Sequence, residues 1–322
     1  MKLNVLNYYK SRIPSQLRKL TIKTFTHKSI NFRSINYNSS LEKQISNVKW
    51  ADVLLLTPGR FLHKDVLDNA KHIKLIQIWS SGYEKLNIKA IKTNKIPLAN
   101  NGSVNSTSVA EHTILLILSV FRKIIYFNNI AKKGKWEGNS HGLDCFNLSN
   151  KNIGLVGYGN VGKKVARICK AFGANIYFND IVRKKKNYLN AKYLPLDKLF
   201  KISDVVSLHL HYNRETKNII NKSLLSLMKK NSILINVSRA GLVDNKYLNK
   251  MLKNNRIKGA GFDVFIREPT KKGDIYLDND NVVLSPHTAG ATIDTHKEVL
   301  LNCKKNILNL HKKNTIKWLV KL

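Results

Sequence analysis

The stretch KNIGLVGYGNVGKKVARICKAFGANIYFND, residues 151–180, leaves little freedom in how the chain around it folds. NIGLV (152–156) has the apolar character of a buried strand. Glycines follow at Gly157, Gly159 and Gly162. Val161, Val165, Ile168, Cys169 and Phe172 fall on one helical face, and Gly173 ends that helix. NIYF (175–178) reads as a second strand, with Asp180 at its end. Strand, glycine turn, helix, strand and acid in this order make a dinucleotide cradle. Gly157 permits the tight turn, Gly159 lets a pyrophosphate approach the backbone, and Gly162 lets helix and strand pack closely. Asn160 and Val161 open the helix and offer unpaired N–H groups to phosphate. Asp180 suits the ribose hydroxyls and repels a 2′-phosphate, which favours NAD over NADP. Arg183, Lys184, Lys185 and Lys186 just beyond it are the opposing signal.

At 322 residues the chain has room for two domains, each with its own core. Residues 1–100 alternate apolar strands such as ADVLLL (51–56) and IKLIQI (73–78) with helical patterns, and residues 151–290 do the same. Alternation of this kind gives parallel sheets covered on both faces, so the fold class is α/β with two doubly wound domains. STSVAEHTILLILSVFRKIIYFNNIAKKG, from Ser106 to Gly134, reads as one long helix. A last helix, DTHKEVLLNCKKNILNLHKK, is long enough to return to the first domain.

Composition narrows the partners. The net charge of +36 is carried by lysine more than arginine and is spread along the chain. No aromatic-interleaved basic groove or recognition-helix pattern accompanies it, so no specific nucleic-acid partner is expected. Cys145, Cys169 and Cys303 form no metal spacing and no C-x-x-C, which fits a reducing, cytoplasmic setting without a metal site. TILLILSVF (113–121) is too short to span a bilayer, so no membrane is expected. Residues 1–41 contain no Asp or Glu and imitate a transit peptide in composition, but KLNVL and TIKTF read as strands.

Three further stretches carry chemistry: ILINVSRAGLVD (233–244), GAGFDVFIREP (259–269) and LSPHTAGAT (284–292). Each is a strand running into a loop with one functional side chain: Arg239, Glu268 and His287. Strand ends of a parallel sheet gather at one crevice. There an arginine can fork onto a carboxylate and polarise the neighbouring carbonyl. A histidine exchanges a proton near neutrality, and a carboxylate beside it orients the ring. The set suits reduction of a 2-oxo acid, with the nicotinamide as hydride source. Glu111 and His112 brace the long helix, and His63, His72, His141, His209 and His296 are surface or packing residues.

These stretches, with WSSGYEKLNIKA, NNGSVNSTSVAEHTILLIL and ETKNIINKSLLSLMKKNS, resemble the D-isomer-specific 2-hydroxyacid dehydrogenases from about Ala51 to Leu310. The resemblance implies a Rossmann-type NAD-binding domain over 103–291. It also implies a discontinuous, flavodoxin-like substrate domain from 1–102 and 292–322. By the same resemblance Arg239 holds the substrate carboxylate, His287 paired with Glu268 is the acid/base, and Asp263 meets the nicotinamide carboxamide. Val237, Ser238, Thr288 and Gly290 complete the NAD pocket, and Ser81 and Gly82 offer backbone N–H groups to the substrate. The helix from Ser106 would help build a homodimer. The reaction implied is 2-oxo acid + NADH + H⁺ giving D-2-hydroxy acid + NAD⁺. The substrate expected first is D-3-phosphoglycerate, then glyoxylate or hydroxypyruvate. A non-catalytic NAD-sensing protein is the rival, and the intact Arg/Glu/His set argues against it. Departures from the family pattern are His211 in HLHYN where many members have proline, SRAG for the commoner ARG, and Arg267 beside the acid.

Overall fold

The structure, a computed structural model, describes residues 2–57, 61–136, 138–181, 188–312 and 315–322. Arg183, Lys184, Lys185 and Lys186, and the side chain of His141, lie outside the described residues. The chain forms two compact units, Met1–Asn105 with Thr292–Leu322, and Ser106–Ala291.

The first unit is built on a five-stranded parallel sheet of β1 (Leu3–Tyr9), β2 (Ile30–Asn36), β3 (Val53–Leu56), β4 (Leu75–Ile78) and β5 (Leu98–Ala99). The strand order is β2-β1-β3-β4-β5, the flavodoxin-like winding. VLLL of β3 and LIQI of β4 are buried along their whole length because helices cover both faces. One face packs Leu54, Leu56, Ile76 and Ile78 on Val66, Leu67 and Ile91. The other packs Val53, Leu55 and Leu75 on Phe25 and on Val299, Leu300, Cys303 and Ile307 of the helix Ile293–His311. Gln77, fully buried in β4, would be costly unpaired. Its amide donates to the Ala99 and Asn100 carbonyls, and its oxygen accepts from Asn306 Nδ2 at 2.8 Å. That polar tie fixes the C-terminal helix onto the sheet.

TIKTF is helix rather than strand, within Ser15–Phe25. Its apparent period of two is overruled by Leu17, Leu20 and Phe25, which pack at helical spacing onto the first-unit core. The Thr21 and Thr24 hydroxyls donate back to the Leu17 and Leu20 carbonyls.

The second unit carries a seven-stranded parallel sheet: β6 (Asn152–Val156), β7 (Asn175–Asn179), β8 (Lys192–Tyr193), β9 (Val205–Leu208), β10 (Ile233–Asn236), β11 (Gly259–Phe262) and β12 (Val282–Leu284). Its order, β12-β11-β10-β9-β6-β7-β8, is the dinucleotide-binding winding with one strand added. The order reverses between β6 and β9, and the glycine turn leaves β6 at that switch point.

The helix expected through Gly134 is two helices, Ser106–Phe121 and Ile124–Lys132, bent by 64°. Lys123 takes a left-handed φ of +47° at the break. Phe121 anchors the bend: its carbonyl accepts from Phe146 N at 3.0 Å and the two rings lie 5.7 Å apart. Among the described residues no single helix is long and apolar enough to cross a membrane. Cys169 is buried in this unit's core, where burial pushes its thiol up to about 12.

Candidate active site

The glycine turn is held from three sides. Gly157, at φ +97°, donates its N–H to the Asn179 carbonyl at 2.8 Å. A Cβ there would stand 2.6 Å from the His209 carbonyl oxygen, and a Cβ on Gly162 would overlap the Gly157 carbonyl oxygen. Gly159 differs. A Cβ there would meet nothing within 4 Å, and as N-cap of the helix Asn160–Ala171 it provides no side-chain cap. Open space thus faces the uncapped N–H groups at Asn160 and Val161, and a pyrophosphate fits that cradle by charge and by room. Asp180 has a structural duty, since its Oδ2 accepts from Tyr158 N at 2.7 Å. The Tyr158 ring stacks on Phe178 at 4.2 Å beneath the turn. A carboxylate has about four acceptor sites, so bracing the turn and receiving ribose hydroxyls are compatible.

His209, below the turn, bonds through Nε2 to Ser207 Oγ at 3.0 Å, while its buried Nδ1 has no partner among the described residues. Burial pushes its imidazole down to about 3 from 6.5, so it is neutral at neutral pH. The unfolded chain binds a proton below about 6.5 that the folded chain refuses down to about 3. His209 therefore contributes stability that is full above about 6.5 and lost as pH falls toward about 3. Melting curves between pH 6.5 and 4.5 should show a steeper loss for the wild type than for His209→Asn; parallel curves would contradict this.

The chemistry-bearing side chains follow neighbouring strands. β10, β11 and β12 align Asn236 with Phe262 and Phe262 with Leu284, so Arg239, Asp263 and His287 all leave the same carboxyl edge. The Arg239 loop is formed by Asn236, which is buried. Its Oδ1 accepts from Ser238 N and its Nδ2 donates to the Arg239 carbonyl, each at 3.0 Å. Ser238 Oγ ties the loop to the Leu208 carbonyl at 2.8 Å, buried Val237 precedes it, and Arg239 Nη1 donates to the Ser238 carbonyl at 2.7 Å. Glu268 Oε1 accepts from Phe265 N at 3.2 Å and lies 3.0 Å from His287 Nδ1. A carboxylate on Nδ1 places that ring proton on Nδ1 and leaves Nε2 to face outward. The His287 side chain is 45% exposed and the Glu268 side chain 23%, so a reacting molecule can reach the imidazole while its partner stays sheltered.

His287 itself takes a φ of +56°, unusual for a residue with a side chain. Its N–H donates to the Ser285 carbonyl at 2.9 Å. The next two N–H groups, of Thr288 and Ala289, donate to Asp263 Oδ1 and Oδ2 at 2.8 and 2.9 Å. Gly290 lies within the turn closed by Ala291 N on the Thr288 carbonyl at 2.8 Å. Asp263, 1% exposed, also accepts from Ser285 Oγ at 2.6 Å. All of these Asp263 bonds hold the His287 loop, a duty sequence reasoning did not assign. Ser285 and Asn236 were also missed. An Asn at a strand end, two residues before a serine, was the available signal for the second.

Ser81 and Gly82 belong to the other unit, after β4. The Ser81 hydroxyl donates to the Gly102 carbonyl, and Asn100 Nδ2 donates to the Ser81 carbonyl at 2.8 Å. Neither the Ser81 nor the Gly82 N–H finds an acceptor among the described residues. No cluster of three or more His, Cys, Asp or Glu that could hold a metal occurs among the described residues.

A dinucleotide-winding sheet, an uncapped glycine turn and a carboxylate-paired histidine on one carboxyl edge define an NAD-binding oxidoreductase. The chain belongs to the D-isomer-specific 2-hydroxyacid dehydrogenase family: residues 114–289 match that family's NAD binding domain. A glyoxylate reductase of Thermofilum pendens is 34% identical over 280 residues, covering 85% of this chain and 83% of that protein. A D-3-phosphoglycerate dehydrogenase of Methanocaldococcus jannaschii is 32% identical over 259 residues, covering 80% of this chain and 49% of that one. The NAD-complexed D-isomer specific 2-hydroxyacid dehydrogenase of Lactobacillus delbrueckii ssp. bulgaricus shares the fold, with a TM-score of 0.83 at 22% identity over 99% of this chain and all of that one.

Proposed function

We propose that this protein reduces a small 2-oxo acid to the D-2-hydroxy acid, with glyoxylate as the preferred substrate. The observation that carries the chemistry is the 3.0 Å contact between His287 Nδ1 and Glu268 Oε1. Bound NADH supplies the hydride. The uncapped turn at Gly159, Asn160 and Val161 would hold its pyrophosphate and Asp180 its ribose. Val237, Ser238, Asp263, Thr288 and Gly290 would flank its nicotinamide end. Arg239 grips the substrate carboxylate and polarises its carbonyl, and His287 Nε2 delivers the proton. Glu268, bonded to Nδ1, keeps the ring oriented.

The choice of glyoxylate rests on relatives such as the Thermofilum pendens protein, matched over most of its length. D-3-phosphoglycerate, placed first on sequence grounds, is the second reading. The Methanocaldococcus jannaschii relative supports it over a shorter share of that protein. NADH absorbance followed with glyoxylate, hydroxypyruvate, phosphohydroxypyruvate and pyruvate tests both, with the highest kcat/KM expected for glyoxylate. Tight NADH binding with no turnover on any of them would favour the NAD-sensing reading and overturn this one.

The same reading includes a cytoplasmic homodimer. Leu115, Ile124, Ile125 and Tyr126 expose apolar surface on the two bent helices, of the kind a partner copy covers. Cys169 and Cys303 are buried thiols outside any disulfide, as in a reducing compartment. Sedimentation equilibrium decides the dimer, and a monomer at micromolar concentration would remove it.

A further inference from the structure

We propose that His112 is a positioning residue for the acid/base His287, acting through Ser285 and the buried carboxylate of Asp263; this rests on the role given to His287 above. His112 sits on the helix Ser106–Phe121, 173 residues before Ser285 in sequence, yet its Nε2 lies 2.7 Å from Ser285 Oγ. Ser285 Oγ in turn lies 2.6 Å from Asp263 Oδ1. His112 Nε2 is 3.6 Å from the same carboxylate oxygen, too far for a direct hydrogen bond, so the serine mediates.

Proton counting fixes the direction of this chain. A hydroxyl has one proton to give, and a carboxylate only accepts. Ser285 therefore donates to Asp263, and its oxygen is left to accept. The donor at 2.7 Å is His112, which must carry a hydrogen on Nε2. The histidine thus aims the serine, and the serine is aimed at the carboxylate.

The destination of the chain separates this from a simple brace between helix and loop. Among the described residues the other donors to the Asp263 carboxylate are the N–H groups of Thr288 and Ala289, the two residues that follow His287. His287 holds a left-handed φ of +56°, a conformation that persists only where surrounding bonds over-determine it. If His112 cannot donate, Ser285 is free to rotate away from Asp263, and one of the carboxylate's three donors is lost. The loop that presents His287 to Glu268 then loosens, and the imidazole drifts from its working position. The glycine turn is built from other residues and keeps its shape.

His112→Leu should therefore lower kcat on glyoxylate roughly 10- to 100-fold, as expected when a reacting group is misplaced by about an ångström. The Kd for NADH, set mainly at the glycine turn, and the KM for glyoxylate, set mainly by Arg239, should move far less than kcat. His112→Gln, whose amide N–H can occupy the Nε2 position, should recover most of the rate. Ser285→Ala should reproduce the loss and carries the test if His112→Leu does not fold. The double variant His112→Leu/Ser285→Ala should be no slower than the slower single one, because both break one chain. Wild-type kcat in His112→Leu, a Gln variant as slow as the Leu variant, or losses that multiply in the double variant would each overturn the proposal. His287→Gln measured alongside separates two kinds of failure. Full activity there removes the role of His287 itself, whereas an inactive His287→Gln beside fully active His112 and Ser285 variants removes only this inference.

Discussion

His287→Gln is expected to bind NADH as the wild type does and to lose about 10²- to 10⁴-fold in kcat, the usual contribution of a positioned acid/base. Glutamine is a fair steric match for the ring and retains a donor that can reach Glu268 Oε1, the atom His287 Nδ1 now meets at 3.0 Å. What it lacks is a ring nitrogen that can give up a proton and take it back. The carbonyl oxygen that becomes a hydroxyl would have to draw its proton from water. Because the glycine turn is held by Asn179 and Asp180 and not by His287, NADH fluorescence titration should give an unchanged Kd while absorbance assays show the rate collapse. Glu268→Gln should lie between the two enzymes: the ring keeps a hydrogen-bond partner, but an amide that can flip to present its NH₂ orients Nδ1 less firmly than a carboxylate that only accepts. Equal turnover in wild type and His287→Gln would leave the site without its proton donor and the proposed chemistry without a basis.

Much of this architecture is readable from local pattern. The turn at Gly157–Gly162 declares itself because several constraints fall within thirty residues: a buried strand, glycines at fixed offsets, one apolar helical face and a terminal acid. β3 and β4 are legible because strands covered on both faces have no polar alternation to confuse with a helix. What escapes is set by contacts distant in sequence. Nothing in TIKTF announces that Phe25 will stack on Phe32, 5.2 Å away, and so favour a helix. Nothing around Arg122 announces that Phe121 will be held by Phe146 and break the long helix at Lys123. The sequence around His112 points only to a brace for the long helix. That its bond passes through Ser285 to Asp263 depends on a pairing across 173 residues. Asp263 shows the same limit. Its position after β11 is legible, but its donors are a hydroxyl and two backbone N–H groups of a loop that only the folded sheet brings beside it.

The three glycines of the turn should fail in different ways when each is replaced by alanine, and the differences test the cradle. Gly162→Ala would drive a methyl group into the Gly157 carbonyl oxygen. That atom is backbone and cannot swing aside, so the helix Asn160–Ala171 must lift from β6 and surrender the packing of Val165, Ala166 and Cys169. Overpacking of this kind costs about 1–3 kcal/mol or more, enough to lower Tm clearly and to abolish NADH binding together. Gly157→Ala adds a methyl 2.6 Å from the His209 carbonyl to the strain of a φ near +97°, and should destabilise similarly. Gly159→Ala is the informative contrast. Its Cβ has nothing within 4 Å and its φ of −80° suits any residue, so the protein should melt within a few degrees of wild type. The new methyl nevertheless projects into the open space before the helix N-terminus, where a pyrophosphate must approach the backbone. NADH affinity should fall by about 10-fold or more while Tm holds, since losing one charge-assisted hydrogen bond costs about 1.5–3 kcal/mol. Unchanged affinity in Gly159→Ala would mean that the phosphates do not sit at this turn.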